Sequence, residues 1–122
     1  MRNFTNLKDI PTKDLRKILN DAKKRKKKRK NFNTLEADKD QPLKGKLLIQ
    51  MYEKPSSRTR LSFHIAINQL AANSITVKTS ELHLGKGGES LVDTAKILST
   101  YGDAFLLRTN SDKKIEDFSK NL

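Results

Sequence analysis

Apolar residues recur along the chain with two different periods. Leu15, Ile18, Leu19 and Ala22 fall at i, i+3, i+4 and i+7, the spacing that gathers side chains on one face of an α-helix. Thr12, after Pro11, is the candidate N-cap, and Asp14 places a negative charge in the first turn. Residues 31–45 mix Asn, Asp, Lys, Pro and Gly and predict a loop. Lys46 to Tyr52 is nearly continuous in apolar side chains, the pattern of a buried parallel strand. Pro55 interrupts it. The helical spacing then returns at Phe63, Ala66, Ile67 and Leu70. Ser74 to Lys78 predicts a second strand, followed by a Gly-rich loop, Gly85-Lys86-Gly87-Gly88. Ser90 to Asp93 fits a capping pattern, with Leu91, Ala95 and Leu98 on the face of the helix it starts. Ala104 to Arg108 predicts a third strand, and Ser111 onward a polar helix.

Strand, loop and helix in succession imply βαβ units. The expected fold is α/β: an open parallel sheet with flanking helices, three βα units after an N-terminal helix, with right-handed crossovers. The 122 residues suffice for one small domain with a core of its own. The sequence itself does not repeat; only the pattern of elements does.

The net charge of +12 is concentrated in one segment. Eight consecutive basic residues, 23–30, account for +8 of it, leaving +4 for all the others. Such a run can bind nucleic-acid phosphates without sequence preference. No aromatic residue interleaves it, however, and Phe32 only flanks it. A solvated helix end, with cations suited to the negative end of the helix dipole, is the favoured reading, and nucleic acid is not an expected partner. Cysteine is absent, so disulfides and thiolate metal sites are excluded. His64 and His83 stand 19 residues apart without paired carboxylates, which argues against a metal. No apolar run approaches a membrane span, and the N-terminus lacks a signal-peptide core. A soluble, cytoplasmic protein is expected, with no membrane partner and no cofactor.

The densest chemistry lies in Glu53-Lys54-Pro55-Ser56-Ser57-Arg58-Thr59-Arg60. The segment leaves a strand and opens a helix, the edge of an α/β sheet where ligands bind. With Ser56 as N-cap, the amides of Ser57, Arg58 and Thr59 lack intrahelical acceptors and sit at the positive end of the helix dipole. Hydroxyls on Ser56, Ser57 and Thr59 add donors, and the Arg58 guanidinium matches two phosphate oxygens. An ordinary capped helix is the competing reading, but cations in a first turn oppose the dipole and need another reason to be there. Arg108 ends the third strand. Parallel strands end on one edge, so Arg108 is expected near the same anion site, unless it is simply a solvated arginine.

Ser56-Ser57-Arg58-Thr59-Arg60 resembles the Ser-Thr-Arg-Thr-Arg signature of the aspartate and ornithine carbamoyltransferase family. Tyr52-Glu53-Lys54 is similar to the segment that precedes it in that family. His83-Leu84-Gly85 through Glu89-Ser90 and Asp93-Thr94-Ala95, and Asp103-Ala104 through Arg108-Thr109, resemble two further family segments in the same order. The resemblance implies a carbamoyl-phosphate-binding domain, with the phosphate held by Ser56, Ser57, Arg58 and Thr59. It implies that Thr59 and Arg108 contact the carbamoyl oxygen. Thr59, Arg58 and Arg108 would then be the catalytic set, working by orientation and charge stabilisation without a protein nucleophile. His83 would reach a neighbouring subunit's site in a homotrimer. Ser57 departs from the usual Thr but keeps the hydroxyl.

Lys54 and His83-Leu84-Gly85 look more like the ornithine branch, which implies transfer of the carbamoyl group to the δ-amine of ornithine, giving citrulline for arginine biosynthesis. Aspartate, putrescine and an acetylated ornithine are the alternative acceptors. The family's His-Pro-x-Gln, Asp-x-x-x-Ser-Met-Gly and His-Cys-Leu-Pro segments do not occur in these residues. The expectation is therefore a carbamoyl-phosphate-binding domain over 1–122, incomplete at its C-terminus, without the ornithine-binding domain and inactive alone.

Overall fold

The computed structural model describes residues 3–78 and 91–122. A 3-10 turn, Leu7–Asp9, precedes helix α1 (Thr12–Lys28). There follow β1 (Leu47–Tyr52), α2 (Ser57–Gln69), β2 (Asn73–Lys78), α3 (Leu91–Leu98), β3 (Ala104–Arg108) and α4 (Asp112–Lys120). The strands form one parallel sheet in the order β2-β1-β3, with Tyr52 opposite Lys78 on one side and Arg108 on the other. The fold is the expected α/β arrangement of three βα units after an N-terminal helix, and residues 31–45 form no helix or strand.

The two faces of the sheet differ. Ile49 and Met51 project to one side and pack with Ala95 and Leu98 of α3 and Phe118 of α4. Phe105 meets Phe118 edge-on at 6.2 Å between ring centres. Burying side chains of this size stabilises the fold by roughly 1.5–3 kcal/mol each. The polar pattern of α4 conceals Phe118, its one buried side chain. Gln50 points the other way and is completely buried. The Tyr52 hydroxyl donates to its Oε1 at 2.5 Å, its Nε2 donates to Ser74 Oγ at 3.4 Å, and His64 Nδ1 lies 2.9 Å from that same Oγ. A buried amide without partners costs about 1–3 kcal/mol, so this chain of contacts makes a glutamine tolerable in the central strand and ties α2 to β2.

Several local expectations are corrected. Pro11, not Thr12, occupies the N-cap position of α1 and makes no side-chain cap. Its carbonyl accepts from Asp14 and Leu15 at 2.9 and 3.1 Å, while proline's fixed φ suits the helix entrance. The apolar stripe of α1 stays largely uncovered: Ile18 and Leu19 are 53% and 63% exposed. Phe63 and Ala66 of α2 are also exposed, while Ile67 and Leu70 are half-buried, because α2 rests on β2 instead of lying across the whole sheet.

The basic run is not a uniformly solvated helix end. Arg25 and Arg29, one turn apart, both hold the buried Asp38 carboxylate, at 2.9 and 2.5 Å. Arg25 also binds Asp21 and Asp40. Burial works to raise the Asp38 carboxyl, but the two guanidiniums outweigh it and hold it below the usual range. The capping Ser90 and the Gly-rich loop 85–88 lie outside the described residues, as does the side chain of Leu91. Among the described residues no helix is long and apolar enough to cross a membrane.

Candidate anion-binding site

The strand order puts a change of direction at β1: the chain crosses to β2 on one side, then returns to β3 on the other. In open α/β sheets ligands lodge at such a point, beyond the carboxyl ends of the strands. The segment after β1 and the tip of β3 meet there.

Ser56 is the N-cap of α2, and its side chain makes no capping bond. The first bond into the helix runs from the Arg60 amide to the Ser56 carbonyl at 3.0 Å. The amides of Ser57, Arg58 and Thr59 have no hydrogen-bond acceptor among the described residues. The hydroxyls of Ser56, Ser57 and Thr59, and the guanidiniums of Arg58, Arg60 and Arg108, likewise have no hydrogen-bond or ion-pair partner there. Arg58, Arg60 and Arg108 are exposed. Unspent donors and unpaired cations at one helix start are what an anion requires.

Arg108 is brought to this edge by the register of β3, which sets it beside Tyr52 at the end of β1. Tyr52 is enclosed enough that burial raises its phenol, while the charges of Arg60 and Arg108 pull it down without reversing the shift. Both guanidiniums are therefore close enough to act on one ring. Tyr52, Lys54, Ser56, Ser57, Arg60 and Lys78 help to line a cleft of about 410 Å³.

Glu53 fixes the mouth. Its amide donates to the Arg108 carbonyl at 2.9 Å. Its carboxylate accepts from Thr109 Oγ1 at 2.5 Å and from Lys114 Nζ at 2.8 Å. Burial acts to raise this carboxyl, but those two bonds and the Lys114 charge bring it below the ordinary range. The loops after β1 and β3 are thus stapled together through one side chain. Neutralising Glu53 internally also keeps the edge cationic.

Ser56, Ser57, Arg58, Thr59 and Arg108, the site residues expected from the sequence, all stand at the carboxyl edge of the sheet. His83 lies outside the described residues. Arg60 and Tyr52 stood within the quoted segments without a site role, and Lys78 had no part in that reading. The signal for Lys78 was available, since it ends β2 as Arg108 ends β3.

The geometry agrees with the comparisons to known proteins. The profile of the aspartate/ornithine carbamoyltransferase, carbamoyl-P binding domain, matches residues 2–121. The chain belongs to this carbamoyltransferase family. It is 38% identical over 121 residues to an ornithine carbamoyltransferase of Mesorhizobium japonicum, covering 99% of this chain and 38% of that protein. A Methanococcus aeolicus ornithine carbamoyltransferase is 42% identical over 114 residues, 93% of this chain and 34% of its own length. The solved ornithine carbamoyltransferase of Pyrococcus furiosus superimposes with a TM-score of 0.87 at 33% identity, over 98% of this chain and 36% of that one. The catalytic subunit of M. jannaschii aspartate transcarbamoylase does so with a TM-score of 0.83 at 31% identity, over 99% and 39%. The chain thus spans well under half the length of these relatives.

Proposed function

We propose that this chain is the carbamoyl-phosphate-binding part of an ornithine carbamoyltransferase. The observation that carries the reading is the set of donors at the start of α2 that are unengaged among the described residues, on the same sheet edge as Arg108, which is unpaired among them. In this reading the phosphate dianion rests on the amides of Ser57, Arg58 and Thr59, where the helix dipole favours negative charge. The hydroxyls of Ser56, Ser57 and Thr59 add donors, and Arg58 grips two phosphate oxygens.

Arg108 and Thr59 face the carbamoyl oxygen in this reading. As the neutral δ-amine of ornithine attacks the carbamoyl carbon, negative charge develops on that oxygen and on the departing phosphate. Cations already in place stabilise both without reorganising. The amine's surplus proton leaves with the product phosphate or solvent, and no protein nucleophile takes part. Partnership with ornithine, His83 donated across a homotrimer interface, and a place in arginine biosynthesis belong to the same proposal. The names of the relatives favour ornithine; the likeness to aspartate transcarbamoylase keeps aspartate as the second acceptor.

Calorimetric titration of the 122-residue chain with carbamoyl phosphate tests the binding half, and inorganic phosphate should compete. Absence of heat for both ligands would remove the proposal. In a complete ornithine carbamoyltransferase that carries this segment, Arg58→Gly should abolish citrulline formation while leaving the fold intact. Carbamoylation of aspartate in place of ornithine would select the second acceptor.

A further inference from the structure

A cavity of about 550 Å³ lies between the C-terminal half of α1 and residues 38–40, and it owes nothing to the site at α2. Lys24, Lys28, Lys39 and Phe32 line it, with Arg25 and its carboxylates forming the rest of the wall. We propose that it binds a small ligand carrying a polyphosphate chain, with an attached ring packing on Phe32.

The frame is rigid for a physical reason. Asp38 is clamped by Arg25 and Arg29, and its amide donates to the Gln69 carbonyl at the end of α2, at 2.7 Å. Asp40 takes two hydrogen bonds from Arg25, at 3.1 and 3.0 Å. Lys39, between these two anchored aspartates, is held opposite the helix. Arg29 sits 5.2 Å from the centre of the Phe32 ring and fixes it by a cation–π contact.

The charges sort themselves. The wall's carboxylates, Asp21, Asp38 and Asp40, are all bound by Arg25, and Asp38 by Arg29 as well. Lys24, Lys28 and Lys39 are exposed and form no close ion pair among the described residues, and only the charge of Lys28 acts on a wall carboxylate, that of Asp40. Lys24 and Lys28 stand one turn apart, roughly 6 Å along the axis, so two phosphoryl groups of one ligand can reach both. The carboxyl end of a helix repels a lone anion. A chain of phosphoryl groups reaches all three ammonium groups at once, which one phosphate cannot, and this selects a polyphosphate over a single phosphate. The ring of Phe32 offers further area to a nucleotide.

Titrations of the 122-residue chain with tripolyphosphate and with ATP, at about 50 and 200 mM salt, test this directly. Tripolyphosphate should bind more weakly at the higher salt, and ATP several-fold more tightly than tripolyphosphate. Lys24→Gln with Lys28→Gln should weaken both at least tenfold. Lys26→Gln with Lys27→Gln removes the same charge outside the cavity and should cost less than threefold. Phe32→Leu should erase the advantage of ATP alone. Binding should survive Arg58→Gly, which separates this site from the one at α2. Equal losses from the two lysine pairs would reduce the effect to diffuse attraction and overturn the site. Loss of tripolyphosphate binding in Arg58→Gly would assign it to α2 and overturn it too. ATP no tighter than tripolyphosphate would overturn the role of Phe32.

Discussion

Replacing Arg108 by alanine separates binding from folding. Its side chain is exposed and has no ion-pair or hydrogen-bond partner within the described residues. Its backbone contribution, the carbonyl that accepts from the Glu53 amide at 2.9 Å, survives the substitution. Stability should therefore move by no more than about 0.5 kcal/mol, or roughly 2–3 °C in midpoint for a domain of this size. In the proposed complex the same guanidinium donates to the carbamoyl oxygen, a charge-assisted hydrogen bond that contributes roughly 1.5–3 kcal/mol. The dissociation constant for carbamoyl phosphate should rise about 10- to 150-fold. Arg108→Lys keeps the charge but not the fork, and should recover only part of the loss. Calorimetry on the three proteins, paired with thermal melts, provides both readouts. Affinity within twofold of the unsubstituted protein would refute the placement of Arg108 at the anion, and a large loss of stability would refute its freedom from structural duty.

Three further outcomes follow from the packing. Asp38→Ala strips the carboxylate from Arg29 while Arg25 keeps Asp21 and Asp40; breaking a half-compensated buried pair should cost about 2–3 kcal/mol in urea unfolding, and a cost below about 0.5 would show the clamp to be idle. Ala71 ends α2 with φ of 70°, and its amide and that of Ala72 bond back to Asn68 and Ile67, the Schellman arrangement that favours glycine; Ala71→Gly should stabilise by about 1 kcal/mol, and an unchanged denaturant midpoint would contradict the strain. Asp38 and Glu53 both sit below their ordinary values of 3.8 and 4.5, so the folded chain binds fewer protons than the unfolded one. Their stabilisation should be complete above those values and fade as pH falls below them, with a shallower acid decline in Asp38→Asn; identical pH profiles would remove Asp38 as a contributor.

β1 was legible because a buried parallel strand announces itself as a short apolar run, and β3 was read to the residue. The donors at α2 were legible because a strand followed by Pro-Ser-Ser-Arg-Thr leaves little else for those groups to do. Gln50 was not, since a glutamine within an apolar run gives no sign of the Tyr52, Ser74 and His64 contacts that satisfy it. Nor was the clamp on Asp38: a run of eight basic residues conceals that Arg25 and Arg29, four apart, face a carboxylate 13 and 9 residues away. The exposure of the apolar faces of α1 and α2 was hidden for a related reason. Periodicity specifies which face is apolar, and says nothing of whether the same chain covers it.

Amide NMR tests residue by residue whether the start of α2 receives the phosphate of carbamoyl phosphate. On titration of the isotope-labelled chain, the amide resonances of Ser57, Arg58 and Thr59 should show the largest shifts, saturating together with a single dissociation constant. Saturating shifts confined to the lysines of α1, with those three amides unmoved, would place the phosphate elsewhere.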